Sequence, residues 1–127
     1  MKEDLARQFP RISSSCDVEF HINHNSFNDY QGINPEITIE NNKSRAKDIS
    51  LGGICIITYL PLPQNINIDL HFKLRDTGQE IKAVGKVMWT ESFSIASSKG
   101  YDNGIRFVEM TEGDKAILKD YIDRHHV

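Results

Sequence analysis

Cysteine is scarce in this chain: Cys16 and Cys55 are the only two, each within an alternating run of apolar and polar residues. A single pair makes no disulfide framework, and thiols inside strands read as buried and inert. Long apolar runs are missing as well. The longest, Ile54 to Ile57, falls far short of the roughly 20 residues that span a bilayer, which excludes a transmembrane helix and membrane insertion through one. The start, Met1-Lys2-Glu3-Asp4-Leu5, is acidic and lacks the apolar core of a secretory signal, so the expected location is cytoplasmic. Positive charge is not in excess: 15 basic against 18 acidic residues give a net −3, which argues against a basic face that grips nucleic acid. There is no internal repeat and no low-complexity segment. No Gly-x-Ser-x-Gly elbow occurs, and His21, His24, His71, His125 and His126 never fall at metal-ligand spacing. Neither a catalytic set nor a metal site is indicated, and no enzyme is expected.

What is present is the composition of one ordinary domain. With 127 residues, 39% apolar and 26% charged, the chain can bury about two thirds of its unfolded surface without metal or disulfide. Most of it has the two-residue period of half-buried strands. Cys16, Val18, Phe20 and Ile22 alternate with Asp17, Glu19, His21 and Asn23 in a first strand. A long loop is expected from Asn23 to Asn34, rich in Asn, Ser, Asp and Gly. A second strand begins at Ile37 and Ile39, turns or bulges at Asn41-Asn42-Lys43-Ser44, and resumes towards Ile49. Ile54 to Thr58 forms a third, closed by Pro61-Leu62-Pro63-Gln64. Ile66 to Leu74 is the clearest strand, and the turn Arg75-Asp76-Thr77-Gly78 joins it as a hairpin to a fifth, in which Ile81, Ala83, Gly85, Val87 and Trp89 share one face. A polar loop over Ser92 to Gly100 precedes a short last strand around Ile105-Arg106-Phe107-Val108. The period then changes. Thr111 and Asp114 resemble an N-cap pair, and Ile117, Leu118, Tyr121 and Ile122 make one helical stripe. Six strands and one helix fit a small β-barrel covered by the helix.

Two clusters stand out. Arg7-Gln8-Phe9-Pro10-Arg11 sets two arginines four apart, with a proline that discourages a helix through Phe9. Asp48-Ile49-Ser50-Leu51-Gly52-Gly53 sets two small hydrogen-bonding side chains on one side of an extended chain, then two glycines that permit close backbone approach. Each has a plain reading too: a solvated terminus for the arginines, and a strand-end turn with a serine bonding its own backbone for the second cluster.

Together the clusters resemble the two motifs of the PilZ family, receptors for the bacterial second messenger cyclic di-GMP: Arg-x-x-x-Arg near the domain start and Asp/Asn-x-Ser-x-x-Gly after the second strand. Arg7 and Arg11 match the first, and Asp48, Ser50 and Gly53 the second. The similarity continues through Gly52 to Ile56, Gly85 to Trp89 and Gly104 to Val108. It departs in a longer stretch from Asn23 to Ile37 and in Ala6 ahead of the arginines, where many members carry a basic or larger residue. The resemblance implies a mainly β fold, a six-stranded antiparallel PilZ-type barrel with a C-terminal helix. It also implies a binding set for cyclic di-GMP of Arg7, Arg11, Asp48, Ser50, Gly53 and Trp89. In this picture the arginines pair with phosphate or with guanine N7 and O6, and Asp48 accepts from guanine N1 and N2. Ser50 adds a hydrogen bond near the same base, Gly53 keeps the strand surface open, and Trp89 packs beside the ligand or is plain core.

The organisation expected is an arm over residues 1–15 and a barrel domain over 16–127 with its helix at 112–124. The arm orders over the ligand and so relays the signal to a protein effector; no cofactor is implied beyond the ligand itself. The alternatives are a barrel of the same family that binds proteins and no nucleotide, and a small barrel for single-stranded nucleic acid, which the negative charge disfavours.

Overall fold

The computed structural model describes residues 12–13, 16–22 and 43–125. Arg7 and Arg11, the loop expected from Asn23 to Asn34 and the strand start expected at Ile37 lie outside the described residues. Within them the elements run β1 (Ile12–Ser13), β2 (Asp17–Ile22), β3 (Lys43–Ile49), β4 (Gly53–Thr58), β5 (Asn67–Lys73), β6 (Glu80–Ile95), β7 (Ser98–Met110) and α1 (Glu112–His125).

Strands β2 to β7 form one antiparallel sheet in the order β3-β2-β5-β6-β7-β4, and the pairing of β3 with β4 closes it into a six-stranded barrel. Closure leaves no sheet edge to template aggregation along the paired segments. β1 stands outside this ring and pairs with β3 alone, Ile12 opposite Ile49 and Ser13 opposite Asp48. It follows the same edge of β3 that β2 occupies further along, where Asp17 lies opposite Arg45.

Alternation decides which side chains fill the barrel. Ile68, Leu70 and Phe72 of β5 are buried, while Asp69 and Lys73 between and after them are exposed. Val18, Phe20, Ile49, Ile54, Ile56, Ile81, Val87 and Ile105 join them in a single apolar cluster. Full burial of each such side chain stabilises by roughly 1.5–3 kcal/mol, which is what holds the ring shut. α1 adds Leu118, Tyr121 and Ile122 to the same cluster. The helix starts where expected: the Thr111 hydroxyl accepts from the Asp114 N–H at 3.1 Å. Asp114 does not close a reciprocal pair; its carboxylate accepts from the Lys82 N–H at 3.0 Å and ties the first turn to β6.

Asn103 is a fully buried polar residue in this interior. Its side-chain N–H2 donates to the Ile56 carbonyl at 3.2 Å and to the Thr58 hydroxyl at 2.9 Å. Its side-chain oxygen accepts from the Leu62 N–H at 3.3 Å and the Thr90 hydroxyl at 3.0 Å. One amide thus fastens the proline-containing connection between β4 and β5 to three strands.

The polar loop expected over Ser92 to Gly100 is instead a continuation of sheet. β6 is 16 residues long and β7 is 13, and they pair from Ala83 with Met110 out to Ile95 with Ser98, turning through Ala96 and Ser97. Ala96 takes the positive φ of 54° that the turn requires. Beyond the barrel this ribbon is wet on both sides, so its sequence has no apolar face and the period-two signal disappears.

A candidate ligand face on the outer barrel wall

Side chains directly opposite in an antiparallel pair project to the same side of the sheet. Cys55 lies between the core residues Ile54 and Ile56, so its side chain points to the outer side of the sheet, where it is covered and only 4% exposed. Opposite it on β3 is Asp48, and opposite it on β7 is Gly104, which in turn faces Trp89 of β6. Asp48, Cys55, Gly104 and Trp89 therefore form one outward row across four strands, with Ser13 of β1 beyond Asp48.

Two bulges make this row. In β3 the register shifts between Ala46 and Asp48, so both Lys47 and Asp48 oppose Cys55. Ala46 and Ile49 are buried, Lys47 is exposed and Asp48 half-buried. Strict alternation from Ala46 would turn Asp48 inward; the inserted residue re-aims it. Of the interruption expected at Asn41 to Ser44, Lys43 and Ser44 pair regularly with β2, and Asn41 and Asn42 lie outside the described residues. In β6 the register shifts between Val87 and Trp89, so Val87 points into the core and Trp89 leaves the face it was expected to share with Ile81, Ala83 and Val87.

Glycine permits close approach along this row. A Cβ on Gly104 would lie 2.1 Å from the Trp89 indole nitrogen, so the ring rests flat on the Gly104 backbone. A Cβ on Gly53 would lie 2.1 Å from the Ile105 carbonyl oxygen, so β4 and β7 approach closely only because position 53 has no side chain. Gly53 and Cys55 on β4 and Gly104 on β7 are buried beneath this row, with Asp48 at one end of it and the Trp89 ring covering Gly104 at the other.

Ser50 sits in the turn between β3 and β4 and is 3% exposed. Its hydroxyl accepts from the Gly52 and Gly53 N–H groups at 3.1 and 3.2 Å and lies 3.4 Å from the Gly53 carbonyl. The Ser50 N–H donates to that carbonyl at 2.9 Å, and the Phe107 N–H donates to the Gly52 carbonyl at 2.9 Å. Ser50 therefore fixes the turn that carries Gly53, as its plain reading from sequence holds. Lys47, which sequence analysis did not single out, reaches Asp102 at 3.2 Å on the neighbouring outer row. The Asp102 carboxylate, as hydrogen-bond partner first and as charge second, raises the Lys47 ammonium above the usual lysine value.

The structure thus brings Asp48, Gly53 and Trp89 to one wall, with Ser50 beneath its edge, while Arg7 and Arg11 lie outside the described residues. A groove of about 910 Å³ lies further along the wall beneath the β6–β7 ribbon, lined by Asp17, Glu19, Arg45, Tyr59, His71 and Phe93 among others. Its charges are mixed, and the His71 ring lies 2.8 Å from the Glu80 carboxylate at its margin. No cluster of three or more metal-ligating side chains occurs among the described residues. No helix among them is long and apolar enough to cross a membrane.

Solved structures share this architecture. The inhibitor of motility MotI/DgrA of Bacillus subtilis superposes with a TM-score of 0.67 at 20% identity, over 93% of this chain and 49% of that one. MrkH of K. pneumonia in its apo state gives 0.67 at 19%, over 91% and 49%. The PilZ domain of YcgR from Escherichia coli, solved with c-di-GMP, gives 0.65 at 12%, over 94% and 90%. The chain spans about half the length of MotI and MrkH and nearly all of the YcgR domain. None of the curated proteins matches it in sequence. The family model of the PilZ domain matches residues 6–124, and the chain therefore belongs to the PilZ domain family.

Proposed function

We propose that this protein is a non-catalytic receptor that binds cyclic di-GMP on the outer wall bearing Asp48, Gly53 and Trp89, and passes the signal to a protein partner. The observation that carries the reading is the pairing of β1. Ile12 and Ser13 lie against Ile49 and Asp48, and one peptide bond joins Ile12 to Arg11. Consecutive Cα atoms are about 3.8 Å apart, so the arginine motif leads directly into the strand that pairs with Ile49 and Asp48.

The chemistry follows from the groups. The ligand offers two phosphates and two guanines. Asp48 accepts from guanine N1 and N2 donors, and Trp89 offers an apolar ring at the far end of the row. Arg7 and Arg11 supply forked donors for phosphate or for guanine N7 and O6. Ser50 and Gly53 act through shape: the hydroxyl holds the turn, and the missing side chain keeps the wall flat. Contact of the arginines with a ligand resting on the barrel joins the N-terminal residues to the wall, and a partner that distinguishes the two surfaces receives the signal.

The test is calorimetric titration of cyclic di-GMP into the parent, Arg11→Ala and Asp48→Ala. Charge-assisted hydrogen bonds are worth roughly 1.5–3 kcal/mol, so each variant should bind at least about tenfold more weakly. Binding of Arg11→Ala with parental affinity refutes the mechanism. GTP and a single-stranded oligonucleotide, which should not raise the melting temperature, separate the reading from a general nucleotide or nucleic-acid site.

A further inference from the structure

Resting on that reading, we infer that Arg106 and Lys86 form a second anionic subsite on the same wall, built from the barrel alone, that takes a phosphate of the bound dinucleotide. Arg106 of β7 pairs with Gly53 on one side and with Lys86 of β6 on the other. Its row, Gly53-Arg106-Lys86-Asn67, therefore runs beside the row of Asp48, Cys55, Gly104 and Trp89, one outward position along β4 and β7. Ile105 is fully buried, so Arg106 after it projects outward on the same wall, and it is exposed.

Two like charges placed directly opposite across a ladder destabilise it. The nearest carboxylates on these strands, Asp69 and Glu109, stand diagonally, opposite Val84 two positions along β6, and pair with neither cation. Among the described residues neither Arg106 nor Lys86 makes an ion pair, whereas Lys47, Arg45, Lys115, Lys119 and Arg124 each reach a carboxylate. Gly53 removes the only side chain that could screen Arg106 from the β4 side. A cation pair held unneutralised beside the row of Asp48 and Trp89 has the form of a site awaiting an anion. A phosphodiester lying along the row of Asp48 and Trp89 would lie one outward position from both side chains. This subsite differs from the arginine motif in that it is present on the sheet itself.

The experiment compares parent, Arg106→Gln, Lys86→Gln and the double variant, with cyclic di-GMP affinity from calorimetry and melting temperature without ligand from circular dichroism. Each single variant should weaken binding about tenfold or more. In the same variants the ligand-free melting temperature should hold or rise by about 1–3 °C, because the like-charge contact is relieved. That opposite movement is one a structural role for these residues would not produce. Parental affinity in both single variants overturns the inference and leaves the receptor reading standing. Weaker binding with a melting temperature lowered by several degrees also overturns it, since the pair would then be structural. Failure of the parent itself to bind cyclic di-GMP is the separate result that overturns the receptor reading and the subsite together.

Discussion

Replacing Gly53 with alanine should damage fold and site at once, and the size of the effect follows from one distance. The added Cβ would sit 2.1 Å from the Ile105 carbonyl oxygen, and the next contacts, 3.2 and 3.3 Å, are also backbone. Carbon and carbonyl oxygen come no closer than about 3.3 Å in ordinary sheet contacts, so β4 and β7 must separate locally by about 1.2 Å. At that separation the bond from the Phe107 N–H to the Gly52 carbonyl, 2.9 Å across the same seam, is broken and leaves both groups unpaired. Each buried group left unpaired costs about 1–3 kcal/mol, which puts the loss at about 2–5 kcal/mol. With a urea m-value of about 1–3 kcal/mol/M the unfolding midpoint should fall by roughly 1–3 M. Gly113 is the control, because a Cβ there meets nothing within 4 Å, and Gly113→Ala in the first turn of α1 should be neutral or slightly stabilising. A midpoint for Gly53→Ala equal to that of the parent would refute the argument from close approach.

Three further outcomes follow from the same geometry. Asn103→Ala should lower stability by roughly 3 kcal/mol in urea unfolding, because it strips partners from the Leu62 N–H and from the Thr58 and Thr90 hydroxyls inside the barrel. Gly104→Ala should displace the Trp89 ring from its seat and shift the emission of the only tryptophan. Its stability cost should be smaller than that of Gly53→Ala, since a side chain yields where a backbone does not. Asp102 raises the Lys47 pKa, so the contribution of this ion pair is complete at neutral pH and is lost as pH rises through the folded value in the alkaline range. Lys47→Met should therefore lose less than about 1 kcal/mol at pH 7, and its deficit relative to the parent should vanish in strongly alkaline denaturation series.

The barrel was legible where one side of a strand is dry. β5 and the hairpin to β6 follow from the alternation of Ile66 to Leu74 and from the Gly78 turn, where φ is 72°. α1 follows from its stripe and from Thr111. The outer half of the β6–β7 ribbon was not legible, because residues wet on both sides carry no period. Its one marker is aromatic: Phe93 lies over Gly100 as Trp89 lies over Gly104, each ring covering a glycine on the paired strand. The Asp48 cluster was legible as a motif, but the reason Asp48 faces outward was not. That reason is a single inserted residue in β3, and an insertion shows only once the partner strand is known. Ser50 could be read two ways from sequence, and its bonds within the turn give it a positioning role. Lys86 and Arg106 carried no signal, since lysine and arginine on an alternating strand are the ordinary wet residues; only the pairing of β6 with β7 sets them side by side.

The location of the ligand is tested most directly by titrating cyclic di-GMP into isotopically labelled protein and following backbone amide and indole N–H resonances. Shifts should concentrate at Asp48, Gly53, Gly104, Arg106 and the Trp89 indole, with the outer face of α1 from Lys119 to Arg124 unmoved. Shifts gathered instead around Tyr59, His71 and Phe93, or none at all at saturating ligand, would contradict the assignment of this wall as the receptor site.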